Sequence, residues 1–257
     1  MPSHVMVFSH PNHEVAVLGA IQRLKPQIIF LTDGGGEERV NQTRRGLASY
    51  TDPSQLHFLN HREQALYDAL LACDAEFYRG IAGQLREIFQ PMDIEAVYVD
   101  SVEFYNPVHD ITLPVVLSAL DGRDAALYEV PLIYQETGKG ESFAMQCAPA
   151  ALDDECMQID LTEGELARKA ETLRNGPYGI LTSQMGSMIE EALASHGKRE
   201  RFLKGRRVLP RPVAGQALRY EERGQKLKDR GEIGEVITYN CHYAPIFETL
   251  CGYRAAA

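Results

Sequence analysis

The sequence predicts an α/β protein, a Rossmann-like three-layer fold with a mostly parallel β-sheet. Residues 5–8 form a short apolar run, which is typical of a buried strand. Apolar residues then recur at helical spacing at Val15, Leu18 and Ile21, and a second apolar run covers residues 28–31. A strand, a helix and a strand within about 30 residues form a βαβ unit, which places its two strands parallel in one sheet.

The next elements follow from similar patterns. Pro11 suits the first helical position, because its missing N–H is not needed there. The second strand runs into a glycine-rich loop at 33–36, whose glycines allow a ligand to approach the backbone closely. Helices are predicted at 62–72 and 76–89, a third strand at 96–99, and a helix from His109 or Asp110 to about Leu120.

The remaining pattern is less regular. Strands are predicted near 127–130 and 157–159, and Thr162 with Glu165 predicts the start of a helix. The basic segment 198–207 is interpreted as a solvated face, with an anionic-substrate or subunit contact as the alternative. Residues 236–239 resemble a strand, and loops at 34–60 and 136–155 are expected to set specificity. We therefore predict one domain over 1–257, with a core of about 1–185 and an elaborated C-terminal third at about 186–257.

Composition excludes several classes of function. The formal net charge of −10 argues against broad binding to nucleic acid or anionic membranes, although it permits a local basic pocket. Five scattered cysteines without a CxxC pair indicate reduced thiols. No segment resembles a signal peptide, and none approaches the roughly 18–20 apolar residues of a membrane span. A cytoplasmic protein that binds neither nucleic acid nor membrane is therefore expected.

Polar clusters follow the first three predicted strands, at 10–14, 33–36 and 100–110. The carboxyl ends of parallel strands are where ligands bind in such sheets. His10 and His13 can aim two imidazoles at one point, and His109 is the natural third ligand from a neighbouring strand end. Spacing alone leaves a second interpretation open, in which these are surface or core histidines without a metal.

These clusters resemble motifs of the LmbE/PIG-L family of metal-dependent de-N-acetylases. The family's HPDDE-like motif corresponds to His-Pro-Asn-His-Glu at 10–14, and its T-D-G motif to residues 32–34. Its R-E pair, which opens a helix, corresponds to Arg62 and Glu63, and its later H-x-x-H segment to residues 106–109. The resemblance spans roughly residues 5–185 and implies an LmbE-like fold.

The resemblance also implies a ligand set and two departures. The metal ligands would be His10, His13 and His109, with histidine in place of the family's aspartate at position 13. One divalent metal ion is implied; zinc is favoured and iron is the alternative. The family's general base is replaced by Asn12, and the first histidine of the later motif by Asn106; an amide cannot take up a proton near neutral pH.

Other residues complete the expected site. Glu14 or Asp110, each next to a ligand, could replace the base, while Asn12 and Asn106 could donate hydrogen bonds to an oxyanion. The expected substrate-binding residues are Asp33, Gly34, Arg62 and Tyr105, and His242 is left without an assigned role.

Three functional hypotheses remain at this point. The first is a hydrolase in which metal-bound water attacks the amide of a sugar-like or amino-acyl small molecule. The second is a changed reaction at a three-histidine site, such as iron–oxygen, lyase or cyclase chemistry. The third is a non-catalytic family member. For all three, the resemblance implies a homo-oligomer.

Overall fold

The computed structural model describes residues 3–134, 144–148, 152, 156–195, 197–213, 216 and 218–252, so much of the predicted loop 136–155 lies outside the described residues. A seven-stranded sheet has the order β3-β2-β1-β4-β5-β9-β8, in which β1 to β5 are parallel and β9 is antiparallel to both neighbours. Its strands are β1 (Ser3–Phe8), β2 (Gln27–Thr32), β3 (Leu56–His61), β4 (Ile94–Asp100), β5 (Ala126–Val130), β8 (Met157–Asp160) and β9 (Arg199–Lys204). Two short strands, β6 (Ile133–Tyr134) and β7 (Ala144–Met145), form a separate antiparallel pair.

Helices cover both faces of the sheet. They are α1 (Leu18–Leu24), α2 (Glu37–Leu47), α3 (Glu63–Leu71), α4 (Ala75–Phe89), α5 (Pro107–Asp110), α6 (Thr112–Leu120), α7 (Glu163–Asn175), α8 (Gly179–Ser195), α9 (Arg219–Asp229) and α10 (Ala244–Cys251). None of the helices in the described part of the chain is long and apolar enough to cross a membrane.

Alternation along β1 separates two hydrophobic layers. Val5 and Val7 pack into the layer that contains α3, α4 and α6, whereas Met6 and Phe8 pack into the layer that contains α1. All four side chains are fully buried, because both faces of a parallel sheet are covered by helices. The predicted three-layer α/β fold is therefore confirmed.

The strand order determines where a ligand can bind. β1 lies between β2 and β4, so the chain moves outward from β1 in one direction and then in the other. The loops that follow β1 and β4 therefore diverge at the carboxyl ends of these two strands and leave a crevice between them. This crevice lies where the sequence places its polar clusters.

Two local predictions are wrong at the ends of the chain. The helix after Pro11 starts later than predicted, because Asn12 has a positive φ of 84° and a 3₁₀ helix at His13–Val17 precedes α1. The strand predicted at 236–239 is absent; the hydroxyl of Thr238 instead caps a π-helix at Tyr239–Tyr243.

Two further segments are more ordered than predicted. Loop 34–60 contains α2 and β3, and the basic segment 198–207 contains β9, which joins the sheet between β5 and β8. The buried side chains of Phe202 and Leu203 explain the second difference, since they hold this strand against the sheet.

A buried ion pair ties the C-terminal third to the start of α1. Lys169 on α7 donates to Glu200 on β9 at 2.7 Å and to the carbonyl of Ala16 at 2.7 Å. The Glu200 carboxylate also accepts hydrogen bonds from the amides of Gly19 and Ala20, at 2.9 and 2.6 Å. The carboxylate thus satisfies amides of the first turn of α1 that have no partner within the helix.

We expect Lys169→Met to lower the free energy of unfolding by about 3–5 kcal/mol, because it leaves the buried Glu200 carboxylate without its cation. Urea denaturation of both proteins measures the difference. Lys198→Met is the control, since it breaks an exposed pair with Glu163 and should have little effect. Equal effects of the two substitutions would contradict this account.

Candidate metal centre

Three histidines meet at the crevice between β1 and β4. His10 follows β1, His13 begins the 3₁₀ helix, and His109 lies in α5. Asn106 starts α5 by accepting a hydrogen bond from the amide of Val108 at 2.9 Å. This cap and the following proline define the short helical turn that presents His109.

The three imidazoles form a close cluster. One candidate ligand atom from each lies within 4.8 Å of the other two. The Nε2 atoms of His10 and His109 are 3.1 Å apart, and the ring centroids of His13 and His109 are 4.4 Å apart. All three side chains are buried, so the cluster is largely screened from solvent.

Hydrogen bonds fix the tautomers of two of these rings. Nδ1 of His10 is 2.9 Å from the carbonyl of Pro11, an acceptor that requires an N–H. Nδ1 of His13 is 2.9 Å from a carboxylate oxygen of Asp100, which also accepts from the amide of Ser9 at 2.7 Å. Both rings therefore keep Nε2 free as a ligand, the arrangement usual for metal-bound histidines.

The electrostatics of the cluster favour the neutral forms of His10 and His109. Burial lowers the pKa of His10 well below its usual value, and the neighbouring His13 lowers it further. Burial likewise lowers the pKa of His109, with additional repulsion from His13 and His10. Because metals bind the neutral ring, these three residues fit a divalent transition metal ion.

The cluster lies against a cavity of about 350 Å³. This volume is within the range of small-molecule sites, which is about 300–1,000 Å³. The wall combines apolar side chains with a few charged and hydrogen-bonding groups. Its polar residues, besides the three histidines, are Asn12, Arg39, Glu63, Tyr67, Tyr105, Asn106, Gln184 and Arg223.

Of four residues that the sequence predicts for the site, three line this cavity and one does not. Asn12 and Asn106 line it, and so does Tyr105. Arg62 is exposed and does not line the cavity; the next residue, Glu63, does. Adjacent residues at the start of a helix point in different directions, which explains why Glu63 lines the cavity and Arg62 does not.

The glycine-rich loop lies beside the cavity. Gly34 has a φ of +61°, and a Cβ on it would lie 2.8 Å from the Arg39 side chain and 3.2 Å from that of His10. The glycine therefore allows the loop after β2 to pack against the histidine cluster. The carboxylate of Asp33 accepts the amide of Gly35 at 3.0 Å and is absent from the cavity wall.

The two carboxylates expected to replace the lost base are occupied elsewhere. Glu14 is fully buried and accepts hydrogen bonds from Thr43 at 2.7 Å and Tyr178 at 2.9 Å. Asp110 accepts from the amides of Glu103 and Phe104, and burial raises its pKa to about 8. Neither lines the cavity, so the contacts argue against the expectation that either of them replaces the base.

Sequence reasoning gave no role in the site to Asp100, Arg39, Glu63 or Tyr67, although Asp100 belongs to the polar cluster 100–110 and Glu63 to the R-E pair. Asp100 ends β4 directly beside β1, a position that strand-end reasoning could have found. Glu63 and Tyr67 are four residues apart on α3, so helical spacing places them on one face. His242 is buried against the backbone of Thr238 at 2.9 Å and lies outside the cavity wall.

Comparison with known proteins supports the fold. No protein-family model matches the sequence, and no curated protein matches it. A deacetylase triple mutant involved in the teicoplanin biosynthetic pathway matches in structure with a TM-score of 0.51, at 9% identity, over 78% of this chain and 96% of that one. This chain has a deacetylase-like fold.

Two other solved structures are similar over comparable lengths. The A40926 pseudoaglycone deacetylase Dbv21 has a TM-score of 0.47 at 13% identity and covers 79% of this chain and 96% of its own. The conserved protein TT1542 from Thermus thermophilus has a TM-score of 0.42 at 15% identity, over 83% and 99%.

We expect the purified protein to bind one divalent metal ion per chain, and His109→Ala to abolish that binding. Asp100→Asn should weaken the affinity by about 10–100-fold, because it removes the carboxylate that orients His13. Plasma mass spectrometry and competition with a chelator measure both effects. His57→Ala is the control, since His57 binds Gln27 away from the cluster. Equal metal content in all four proteins would exclude this site.

Proposed function

We propose that the chain is a metal-dependent amidohydrolase that removes an acyl group from the nitrogen of a small sugar-like or amino-acyl substrate. One observation carries the proposal: three imidazoles converge on a substrate-sized cavity, at the ligand-binding edge of a deacetylase-like fold. The structure from the teicoplanin pathway that shares this fold is a deacetylase, which supports acyl removal as the class of reaction.

His10, His13 and His109 would hold the metal ion, with zinc as the first expectation. When bound, such an ion polarises an amide carbonyl and lowers the pKa of water to about 7. Asp100 and the carbonyl of Pro11 hold two of the rings in the ligand tautomer. These contacts orient the ligands before any substrate enters.

Asn12 and Asn106 supply hydrogen bonds and no proton transfer. The side-chain nitrogen of Asn12, Nδ2, is buried and has no hydrogen-bond partner within the described chain, and this side chain lines the cavity. Oδ1 of Asn106 already accepts from Val108 and Tyr67, which leaves its amide nitrogen as the free donor. Two such donors suit the negative oxygen that develops when an amide is attacked.

Glu63 is the proton acceptor in this proposal. Among the described residues it is the only carboxylate in the cavity wall, and it can take a proton from the attacking water while the three imidazoles hold the metal ion. Burial raises its pKa, whereas Arg39 and His13 lower it. A raised pKa makes the carboxylate a stronger base, because its ionised form binds a proton more tightly.

The reaction is tested with metal-loaded protein and a panel of N-acetylated sugars and amino acids, by measuring amine release. Turnover that is lost in His109→Ala supports the proposal. No amine release across the panel, from protein with one metal per chain, would contradict it. Oxygen consumption by the iron-loaded protein in the same assays would instead favour the redox hypothesis.

We expect Glu63→Gln to lower kcat by about 10²–10⁴-fold, because the amide cannot accept a proton. In the parent, activity should fall as the pH drops through the pKa of Glu63, at a pH above the usual glutamate range, because only the ionised form is a base. Glu76→Gln is the matched control, an exposed glutamate in the first turn of α4. An unchanged pH profile in Glu63→Gln would remove this residue from the mechanism.

A further inference from the structure

Two arginines from different parts of the chain line the cavity. Arg39 lies on α2, beside the glycine-rich loop, and Arg223 lies on α9, in the C-terminal third. We propose that this part of the cavity is an anion-binding subsite, in which the two guanidinium groups bind a carboxylate or phosphate group of the substrate. The inference rests on the proposed function for the reaction, although the binding can be measured separately.

Arg39 is held in place by neutral partners. Its guanidinium donates to the carbonyl of Gly34 at 3.2 Å and to Oε1 of Gln184 at 3.3 Å. It forms no direct ion pair in the described part of the chain, although the charges of Glu63 and Glu14 act on it at longer range. The side chain is half-buried, so its charge is poorly solvated and would gain from a bound anion.

Arg223 is the more exposed of the two. It forms neither a hydrogen bond nor an ion pair with the residues that the structure describes, and its side chain lines the same cavity. Its neighbours on α9 behave differently, since Arg219 pairs with Glu222. An unpaired arginine at a cavity mouth can contact a ligand without first breaking a contact with the protein.

The charge balance of the cavity favours an anion. Among the described residues of the cavity wall there are two guanidinium groups and one carboxylate, that of Glu63, so the wall carries more positive than negative groups even before a metal ion binds. This contrasts with the formal net charge of −10 for the whole chain. A local positive field in an acidic protein concentrates small anions at the site while the remaining surface repels polyanions.

The gain in selectivity should be large enough to measure. A hydrogen bond to a charged group contributes about 1.5–3 kcal/mol, which corresponds to about 10–100-fold in kcat/KM. Arginine also binds carboxylate and phosphate oxygens through two parallel hydrogen bonds. A substrate that lacks the anionic group loses this contribution and keeps the contacts around its amide.

The test uses zinc-loaded protein and two matched pairs of substrates. One pair is an N-acetylamino acid and its methyl ester; the other is N-acetylglucosamine and its 6-phosphate. We expect at least one anionic member to be preferred by about 10–100-fold in kcat/KM. The pair with the larger preference identifies the anionic group as carboxylate or phosphate.

Substitutions distinguish an anion contact from a structural role. Arg39→Gln and Arg223→Gln should each lower the ratio of anionic to neutral turnover, whereas a purely structural role would lower both rates together. Arg45→Gln is the control, because Arg45 pairs with Glu38 on the exposed side of α2. If Arg39→Gln does not fold, Arg223→Gln still decides, since its side chain is exposed.

A binding measurement separates this inference from the proposed reaction. Titration of metal-free protein with inorganic phosphate and with the anionic substrates should give saturable binding, weakened in both arginine variants. Anion binding without any amine release would sustain the subsite and reject the hydrolase. Equal turnover of charged and neutral substrates, or no anion binding and no turnover, would overturn the subsite.

Discussion

The contact between Asp100 and the segment after β1 is the constraint on which the site depends. One buried carboxylate oxygen accepts the amide of Ser9 and the imidazole of His13, so it joins the carboxyl ends of β1 and β4. A buried carboxylate without partners is costly, and these two hydrogen bonds offset part of that cost. The same contact fixes the position and the tautomer of a ligand, so sheet geometry and metal chemistry are determined together.

The site as a whole consists of three zones with different electrostatic character. In the histidine cluster, burial lowers the pKa of His10 and His109 and so favours their neutral forms. Beside it, Asn12 and Asn106 provide donors that cannot ionise near neutral pH. The charged side chains of the cavity wall, among the described residues, are Glu63, Arg39 and Arg223. With asparagine at position 12, the ionisable carboxylate of the described cavity wall is that of Glu63.

Much of this architecture could be predicted from the sequence. Periodicity identified β1, β2 and β4, and the polar residues at their ends predicted a cluster of His10, His13 and His109. Local patterns failed where contacts with distant residues determine the structure. The basic segment forms a strand because Phe202 is buried against the sheet. Glu14 is hydrogen-bonded to Thr43 and Tyr178, which are far from it in the sequence. The sequence predicted Arg62 in the site, whereas Glu63 lines the cavity. Which of two adjacent residues does so depends on where the helix begins, and sequence patterns define that start only to within about one residue.

The buried pair of Lys169 and Glu200 has a consequence for how the protein matures. Ala16 and the start of α1 follow directly on His13, and they are held by side chains that come more than 150 residues later in the chain. During synthesis, His10 and His13 emerge long before this clamp exists. In a nascent chain that stops short of residue 200, this clamp is missing and the segment after β1 has only its earlier contacts, such as the one with Asp100, to hold it.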